Sequence, residues 1–281
     1  MTAEIIDGKK LAAALEKSLK PRVSALKEKG IQPCLAVVLA GENSASKLYV
    51  SKKQKSCESL GIKSLLIEKP ETVSEKVLLE EIEKLNLDED VHGILVQLPL
   101  PKGIDYVKII ESIDPKKDVD GFTSKNLGEL VLGKEKLAGC TPRGIIKLIE
   151  STGKKLEGVD VCVIGHGMAV GLPLTVMLSN RNATVTVCDE HTQFLGQKSS
   201  CCDIVVSCAG VPNLVKAEMV RERATVIDVG INHVNGKLCG DVAFDEVKEK
   251  ASFITPVPGG VGPMTVACLM ENTIIAAEGV E

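Results

Sequence analysis

Apolar positions along this chain come in two rhythms: short solid runs, and longer stretches where they recur every three or four residues. In the first part the solid runs are Cys34 to Leu39, Ser64 to Ile67 and Gly93 to Val96. Each is of strand length, and the periodic stretches between them read as helices: Leu11 to Lys27, a segment after Asn43, and Ser74 to Leu85. Ser44 or Asn43 is placed to cap the second helix. Pro99 and Pro101 then break the chain, and a further helix near Tyr106 to Ile113 leads into the loop Asp114 to Phe122. This alternation of strand and helix predicts an α/β fold with parallel-sheet character.

After a helix predicted over Thr141 to Thr152, a cleaner alternation begins. Val161 to Ile164 is a β-branched run, followed by a glycine-rich turn and the helical stretch Leu172 to Ser179. Three more compact runs follow at Ala183 to Val187, Ile204 to Cys208 and Thr225 to Val229. Bare apolar runs of this kind suit strands buried on both faces. A last helix is expected over Met264 to Ala277, free to pack back onto the first part of the chain. No internal repeat or low-complexity tract interrupts the pattern.

A chain of 281 residues is comfortable for two domains. Apolar residues make up 44% and charged residues 26%, ordinary globular values that leave no room for a long disordered tract. The net charge of -4 argues against broad attraction to nucleic acid or anionic membrane and favours small-molecule partners. No stretch has the pattern of an export signal or the length of a membrane span, so a cytoplasmic location is expected. The ten cysteines are scattered and form no C-x-x-C pair, which predicts reduced thiols. Cys162, Cys188 and Cys208 sit in strand-like runs, where cysteine acts as a small hydrophobe. The adjacent Cys201 and Cys202 and the four histidines lack zinc-ligand spacing, so no metal is predicted.

Candidate chemistry starts at the glycine turn. Gly165, Gly167 and Gly171 follow a predicted strand and open a helix, a variant of the dinucleotide fingerprint. There the backbone turns tightly and lets a pyrophosphate approach a helix N-terminus. The motif alone is weak, but Asp189 ends the next strand close to the spacing expected of a carboxylate that binds the adenosine ribose. His166, Val170, Glu190, Thr192 and Ile231 complete the expected cofactor-binding set. The acids Asp189 and Glu190 would repel a 2′-phosphate, which favours NAD over NADP. The competing reading, the lesser of the two, is that these acids simply face water.

Tyr49 and Lys53 are four residues apart on a predicted helix and so share a face. Spacing does not separate a ligand-binding pair from two solvated residues in a helix that also carries Lys47, Lys52 and Lys55. Five ordered blocks do: Gly41 to Lys53, Gly93 to Pro101, Lys117 to Ser124, Cys140 to Gly144 and Thr255 to Thr265. Across almost its whole length the chain resembles the bifunctional methylenetetrahydrofolate dehydrogenase/methenyltetrahydrofolate cyclohydrolase family.

That resemblance implies two domains. A folate-binding catalytic domain would span residues 1–120 together with a C-terminal helix at about 264–281, and a Rossmann-like nicotinamide dinucleotide-binding domain would span 121–263. It implies that Tyr49 stacks on the folate, that Lys53 is essential to the cyclohydrolase step, that Gln97 bonds Lys53, and that Asp120 holds the pterin. Val50, Val96, Leu98 and the loop Pro258, Gly259, Gly260, Val261, Gly262 would line the folate pocket. A homodimer acting on tetrahydrofolate one-carbon derivatives in one-carbon metabolism is implied too.

Three departures bear on the cofactor. The family usually carries Gly-Arg-Ser at the turn where Gly165, His166 and Gly167 stand, a His-Ser pair where Asp189 and Glu190 stand, and often arginine where His233 stands. All three point away from the usual NADP and towards NAD. Gly139 also replaces a common proline, with no functional consequence drawn.

Three other readings compete. A short-chain dehydrogenase shares the Tyr-x-x-x-Lys pair but has its glycine turn before that pair, the reverse of the order here. A dehydrogenase-only relative would not need Lys53, Gln97 and Asp120 together. A non-catalytic nucleotide-binding module would bind without turnover.

Overall fold

The computed structural model of the chain describes residues 2–234 and 236–279. Its elements run β1 (Glu4–Ile5), α1 (Gly8–Glu28), β2 (Cys34–Ala40), α2 (Ser44–Leu60), β3 (Lys63–Lys69), α3 (Glu75–Leu87), β4 (Gly93–Gln97), α4 (Tyr106–Glu111), α5 (Ser124–Val131) and α6 (Cys140–Glu150). They continue with β5 (Asp160–Ile164), α7 (Gly171–Ser179), β6 (Thr184–Cys188), α8 (Leu195–Ser199), β7 (Ile204–Ser207), β8 (Thr225–Asp228), β9 (Asn232–Val234), β10 (Lys237–Cys239), α9 (Phe244–Val247), β11 (Phe253–Ile254) and α10 (Val261–Glu278).

The chain forms two compact units. Ala14–Cys140 with Val266–Glu281 makes one, and Met1–Ala13 with Thr141–Thr265 makes the other. Both are α/β, as the alternating pattern predicts.

In the first unit a parallel sheet runs β3-β2-β4, with Val38 of the central strand opposite Ile67 and Val96. Every residue of β2 is buried, and the period-2 geometry of a strand divides them between two cores. Leu35, Val37 and Leu39 pack with Leu19, Val50 and Cys57 and with Leu269, Met270 and Ile274 of α10. Cys34, Ala36, Val38 and Ala40 face Leu78 and Ile82 of α3 and Ile109 of α4. The C-terminal helix therefore packs on the first α/β layer, as expected. Residues 280 and 281 of the segment assigned to it lie outside the described residues.

The second unit is built on a six-stranded, all-parallel sheet in the order β1-β11-β8-β7-β5-β6. Strands β7 and β8 are wholly buried. The run at Ala183 to Val187 does not follow the two-face rule: it forms β6 at the sheet edge, where Thr184 and Val187 are exposed.

The partition also departs from the boundary expected at 120/121. Residues 4 and 5 pair with β11, which draws the N-terminus into the six-stranded unit. Residues 121–140 stay with the other unit, where Cys140 enters the core and the Ala138 carbonyl accepts a hydrogen bond from Asn272 Nδ2 at 2.9 Å. Cys162, Cys188 and Cys208 are thiols; Cys162 and Cys188 are buried and Cys208 is partly so.

Candidate active site

The first cluster lies on the α2–β4 side of the three-stranded unit. Asn43 caps α2 by accepting the Ser46 amide at 3.0 Å, and Gly61, at φ 72°, closes it in the left-handed conformation. The buried Ser46 hydroxyl donates to the Leu98 carbonyl at 3.2 Å, tying the start of α2 to the end of β4. On this frame the helical spacing puts Lys53 one turn beyond Tyr49. The Lys53 ammonium then donates to Gln97 Oε1 at 2.9 Å, while the other end of that amide donates to the Leu98 carbonyl at 2.8 Å. Tyr49, Lys53 and Gln97 are all partly buried. Val50 and Val96 are core residues beside them, and Leu98 precedes a cis proline.

Asp120 is delivered by a strongly fastened turn. The β4 amide of Ile94 donates to the Lys117 carbonyl at 2.7 Å, which hangs the segment beside the strand carrying Gln97. The buried Asp118 carboxylate takes the amides of Gly121 (2.9 Å) and Thr123 (2.8 Å) and the side chain of Asn126 (2.9 Å). From α10, Asn272 Nδ2 donates to the Val119 carbonyl at 2.8 Å. Gly121 adopts φ +70°, and a Cβ there would lie 2.5 Å from the Leu137 carbonyl oxygen, so no other residue fits.

Electrostatics in this cluster run against ordinary ionisation. Burial holds the Lys53 ammonium below the usual lysine range, opposed by the Asp120 carboxylate. Burial pushes Asp120 up, opposed by Lys53. Burial also raises the Tyr49 phenol. A lysine depressed in this way gives up its proton more readily than a free lysine, which favours a role as proton acceptor.

The second cluster sits at the carboxyl ends of β5, β6 and β8 in the six-stranded unit. Chain order reverses between β5 and β7, the position where open parallel sheets form their ligand crevice. Gly165 has φ +100°, and a Cβ on it would meet the Cys208 carbonyl oxygen at 2.6 Å. On Gly171 a Cβ would lie 2.0 Å from the Gly165 oxygen, so both outer glycines are required by packing. Gly167 faces open space, leaving a bare backbone cradle before α7, whose N-cap Val170 makes no side-chain cap bond.

Asp189 ends β6 in a turn closed by the Thr192 hydroxyl (2.9 Å) and the His191 amide (3.0 Å). The Thr192 bond, chiefly, holds its carboxyl below the usual range. His166 Nδ1 stands 3.7 Å from Asp189, whereas Glu190 is 86% exposed and turns towards His191. Ile231, just past β8, is half exposed. A glycine cradle beside a strand-end carboxylate fits a nicotinamide dinucleotide.

The structure brings Tyr49, Lys53, Gln97 and Asp120 into one unit. Pro258, Gly259, Gly260, Val261 and Gly262 belong to the other, the loop beginning with a cis Val257–Pro258 bond and ending in the first residues of α10. Sequence reasoning missed Ser46, Asp118, Asn272, Asp228 and Asp241. The readable signal was a short polar group within an apolar stretch, as at Glu271, Asn272 and Thr273 within Cys268 to Ile275. Among the described residues no group of three or more His, Cys, Asp or Glu could hold a metal ion, and no helix is long and apolar enough to cross a membrane.

A parallel sheet with a glycine cradle in one unit and a lysine–amide–carboxylate cluster in the other define a two-domain, dinucleotide-binding α/β enzyme. Two family models match: tetrahydrofolate dehydrogenase/cyclohydrolase, catalytic domain, over residues 6–120, and its NAD(P)-binding domain over residues 139–281. The chain belongs to the tetrahydrofolate dehydrogenase/cyclohydrolase family and is a bifunctional enzyme, dehydrogenase and cyclohydrolase, with a nicotinamide dinucleotide-binding domain.

Among its relatives, the Bifunctional protein FolD of Listeria innocua is 52% identical over 98% of this chain and 97% of its own. The bifunctional FolD methylenetetrahydrofolate dehydrogenase/cyclohydrolase of Campylobacter jejuni superposes with a TM-score of 0.96 at 48% identity, covering 98% of this chain and 99% of its own. The Trypanosoma brucei enzyme, solved with NADP and an inhibitor, gives 0.95 at 37% identity, covering 99% and 98%. The NAD-dependent methylenetetrahydrofolate dehydrogenase of Saccharomyces cerevisiae gives 0.81 at 26% identity, covering 100% and 98%.

Proposed function

We propose that the enzyme oxidises 5,10-methylenetetrahydrofolate to the 5,10-methenyl form with NAD and hydrolyses that product to 10-formyltetrahydrofolate, using Lys53 for the second step. The observation that carries this reading is the 2.9 Å bond from Lys53 to Gln97 in a partly buried pocket that depresses the lysine.

Tyr49 offers a ring face to the pterin, and Asp120 offers carboxyl oxygens to its amine and amide edge. Val50, Val96, Leu98 and the Pro258 to Gly262 loop are assigned to the folate by resemblance. When bound, the nicotinamide supplies the hydride acceptor, and no protein base is required for that step. The chain's part there is to hold the methylene carbon in line with the acceptor and exclude water. The methenyl carbon produced is cationic and must then be attacked by water. Lys53, whose neutral form burial favours and which Gln97 orients, takes the proton that water loses on attack; the bond from that carbon to N5 then breaks, the hydroxyl proton passing to N5, and the formyl group stays on N10.

Gly165, His166, Gly167, Val170 and Gly171 would cradle the pyrophosphate, with Asp189 receiving the adenosine ribose hydroxyls. Glu190, Thr192 and Ile231 would flank it. The Asp189 carboxylate favours NAD, because it accepts hydroxyl hydrogens and repels a 2′-phosphate. The enzyme is further proposed to act in the cytoplasm as a homodimer.

A spectrophotometric assay with methylenetetrahydrofolate and each nicotinamide cofactor tests this reading. Formation and decay of the methenyl species, faster with NAD, is expected. Accumulation without decay would leave a dehydrogenase alone, and binding without turnover would leave a non-catalytic module.

A further inference from the structure

Behind the glycine turn lies a buried pair of carboxylates that the chemistry above does not use. Asp241 is fully buried and follows β10. Its Oδ2 accepts three hydrogen bonds, from the Ser207 hydroxyl (3.1 Å) and the amides of Ala209 (2.8 Å) and Gly210 (3.0 Å). Its Oδ1 accepts a fourth, from Asn232 Nδ2 at 2.9 Å. One side chain thus gathers the segment after β7 and the start of β9, the two segments that flank the carboxyl ends of β7 and β8.

Asp228 locks that side chain in place. Its Oδ1 accepts the Asp241 amide (2.9 Å) and the Gly230 amide (2.9 Å), and its Oδ2 accepts the Val242 amide (3.0 Å). The packing leaves no slack: a Cβ on Gly230 would lie 2.2 Å from Asp241 Oδ1, and one on Gly240 would lie 1.8 Å from Asp228 Oδ2.

The anchored segment is also the wall behind the glycine turn. Gly165 presses on the Cys208 carbonyl and the Ala209 nitrogen, and the Cys208 thiol donates to the Gly165 carbonyl at 3.2 Å. Contact therefore runs without a gap from Asp241 through Ala209 to Gly165 and on to Gly171 at the head of α7. A shift of the 208–210 segment would move the backbone that is to approach the pyrophosphate.

We infer that Asp241 is a positioning residue of the dinucleotide site, holding the 208–210 and 230–232 segments so that the Gly165 turn keeps its shape. The inference rests on the assignment of the cofactor to that turn. The role is indirect: Asp241 is buried and acts through Ala209, Gly210 and Asn232.

The test compares wild type, Asp241→Ala, Asp241→Asn and Asp189→Ala in the full-length enzyme. NAD affinity is measured by calorimetry, amide exchange at residues 209 and 210 without cofactor, and both activities by assay. Losing two or more buried hydrogen bonds predicts that Asp241→Ala weakens NAD binding about tenfold or more. Exchange at residues 209 and 210 should rise, while cyclohydrolase kcat and folate KM stay at wild-type values. Asp241→Asn still offers an oxygen to both amides and should recover most of the loss. Unchanged NAD affinity in Asp241→Ala, or equal loss of both activities, overturns the inference. If Asp189→Ala also leaves affinity unchanged, the cofactor assignment itself fails. Should Asp241→Ala not fold, Ser207→Ala removes a single donor: weaker NAD binding supports the inference, and unchanged binding overturns it.

Discussion

Lys53 Nζ and Gln97 Oε1 stand 2.9 Å apart, a single hydrogen bond joining helix α2 to the end of strand β4. Because an amide oxygen accepts only from a protonated or neutral amine's N–H, it holds the lysine without fixing its charge. That choice matters: a carboxylate in the same place would hold the lysine permanently protonated, working against the burial that depresses it.

The first prediction follows from this. Cyclohydrolase kcat rises with pH as Lys53 loses its proton, with the transition below the usual lysine range. Gln97→Glu should move that transition to higher pH and lower kcat near neutrality, because the added negative charge stabilises the ammonium. A pH profile that does not move on this substitution would remove Lys53 from the proton-accepting role.

Cofactor choice is the second. On the proposed cofactor placement the Asp189 carboxylate, just past β6, stands where a 2′-phosphate would approach, and the glycine turn carries His166 rather than an arginine. Steady-state kinetics of the wild type should therefore favour NAD. His166→Arg with Asp189→Ser replaces repulsion by a guanidinium partner and should raise NADP efficiency by about tenfold or more, roughly the effect expected of one charge-assisted pair. A wild-type preference for NADP would contradict the assignment.

The third concerns stability against pH. Burial, with Asp241 adding to it, pushes Asp228 up to about 6 despite three amide donors. Below its ordinary value near 3.8 the group is protonated in both folded and unfolded chains. As pH rises from about 4 to about 6 the unfolded chain ionises first, and stability contributed by the protonated form is lost, by up to about 3 kcal/mol. Hydrogen exchange at Val226 and Ile227 should show Asp228→Asn free of this fall, so that its stability relative to wild type improves across that window. A difference constant with pH would place the Asp228 ionisation elsewhere.

A fourth addresses the scaffold of Asp120. Asn272→Leu would leave the buried carbonyls of Val119 and Ala138 without this donor, at a cost of about 2–3 kcal/mol. Because those carbonyls flank the Asp120 turn, folate KM should rise as well. Stability loss with unchanged KM would confine Asn272 to packing.

What the sequence makes legible follows from range. Solid apolar runs located β2, β3, β4, β5, β7 and β8 to within a residue or two; burial on both faces demands the runs in β2, β4, β5, β7 and β8, whereas β3 lies at a sheet edge and is only partly buried. The two-residue strands β1 and β11 carry no such signal, since their pairing is 249 residues apart, Glu4 with Phe253. The edge strand β6 looks from its sequence like its buried neighbours, and only the strand order exposes it.

The sites divide in the same way. The Tyr49 to Lys53 spacing is local and readable, whereas the Lys53 bond to Gln97 spans 44 residues, so no spacing reveals it and only the family resemblance implied it before the fold was known. Nothing in the local sequence sets Asp228 and Asp241 apart from exposed acids; packing of Gly230 and Gly240 against them is what buries the pair.

The most direct test of the account is the time course of methenyltetrahydrofolate absorbance after mixing Lys53→Met enzyme with methylenetetrahydrofolate and NAD. On the proposed mechanism hydride transfer does not need the lysine and hydrolysis does, so the methenyl species should form and then persist, decaying only at the rate seen without enzyme. Decay at the wild-type rate would contradict the assignment of Lys53 to the hydrolytic step.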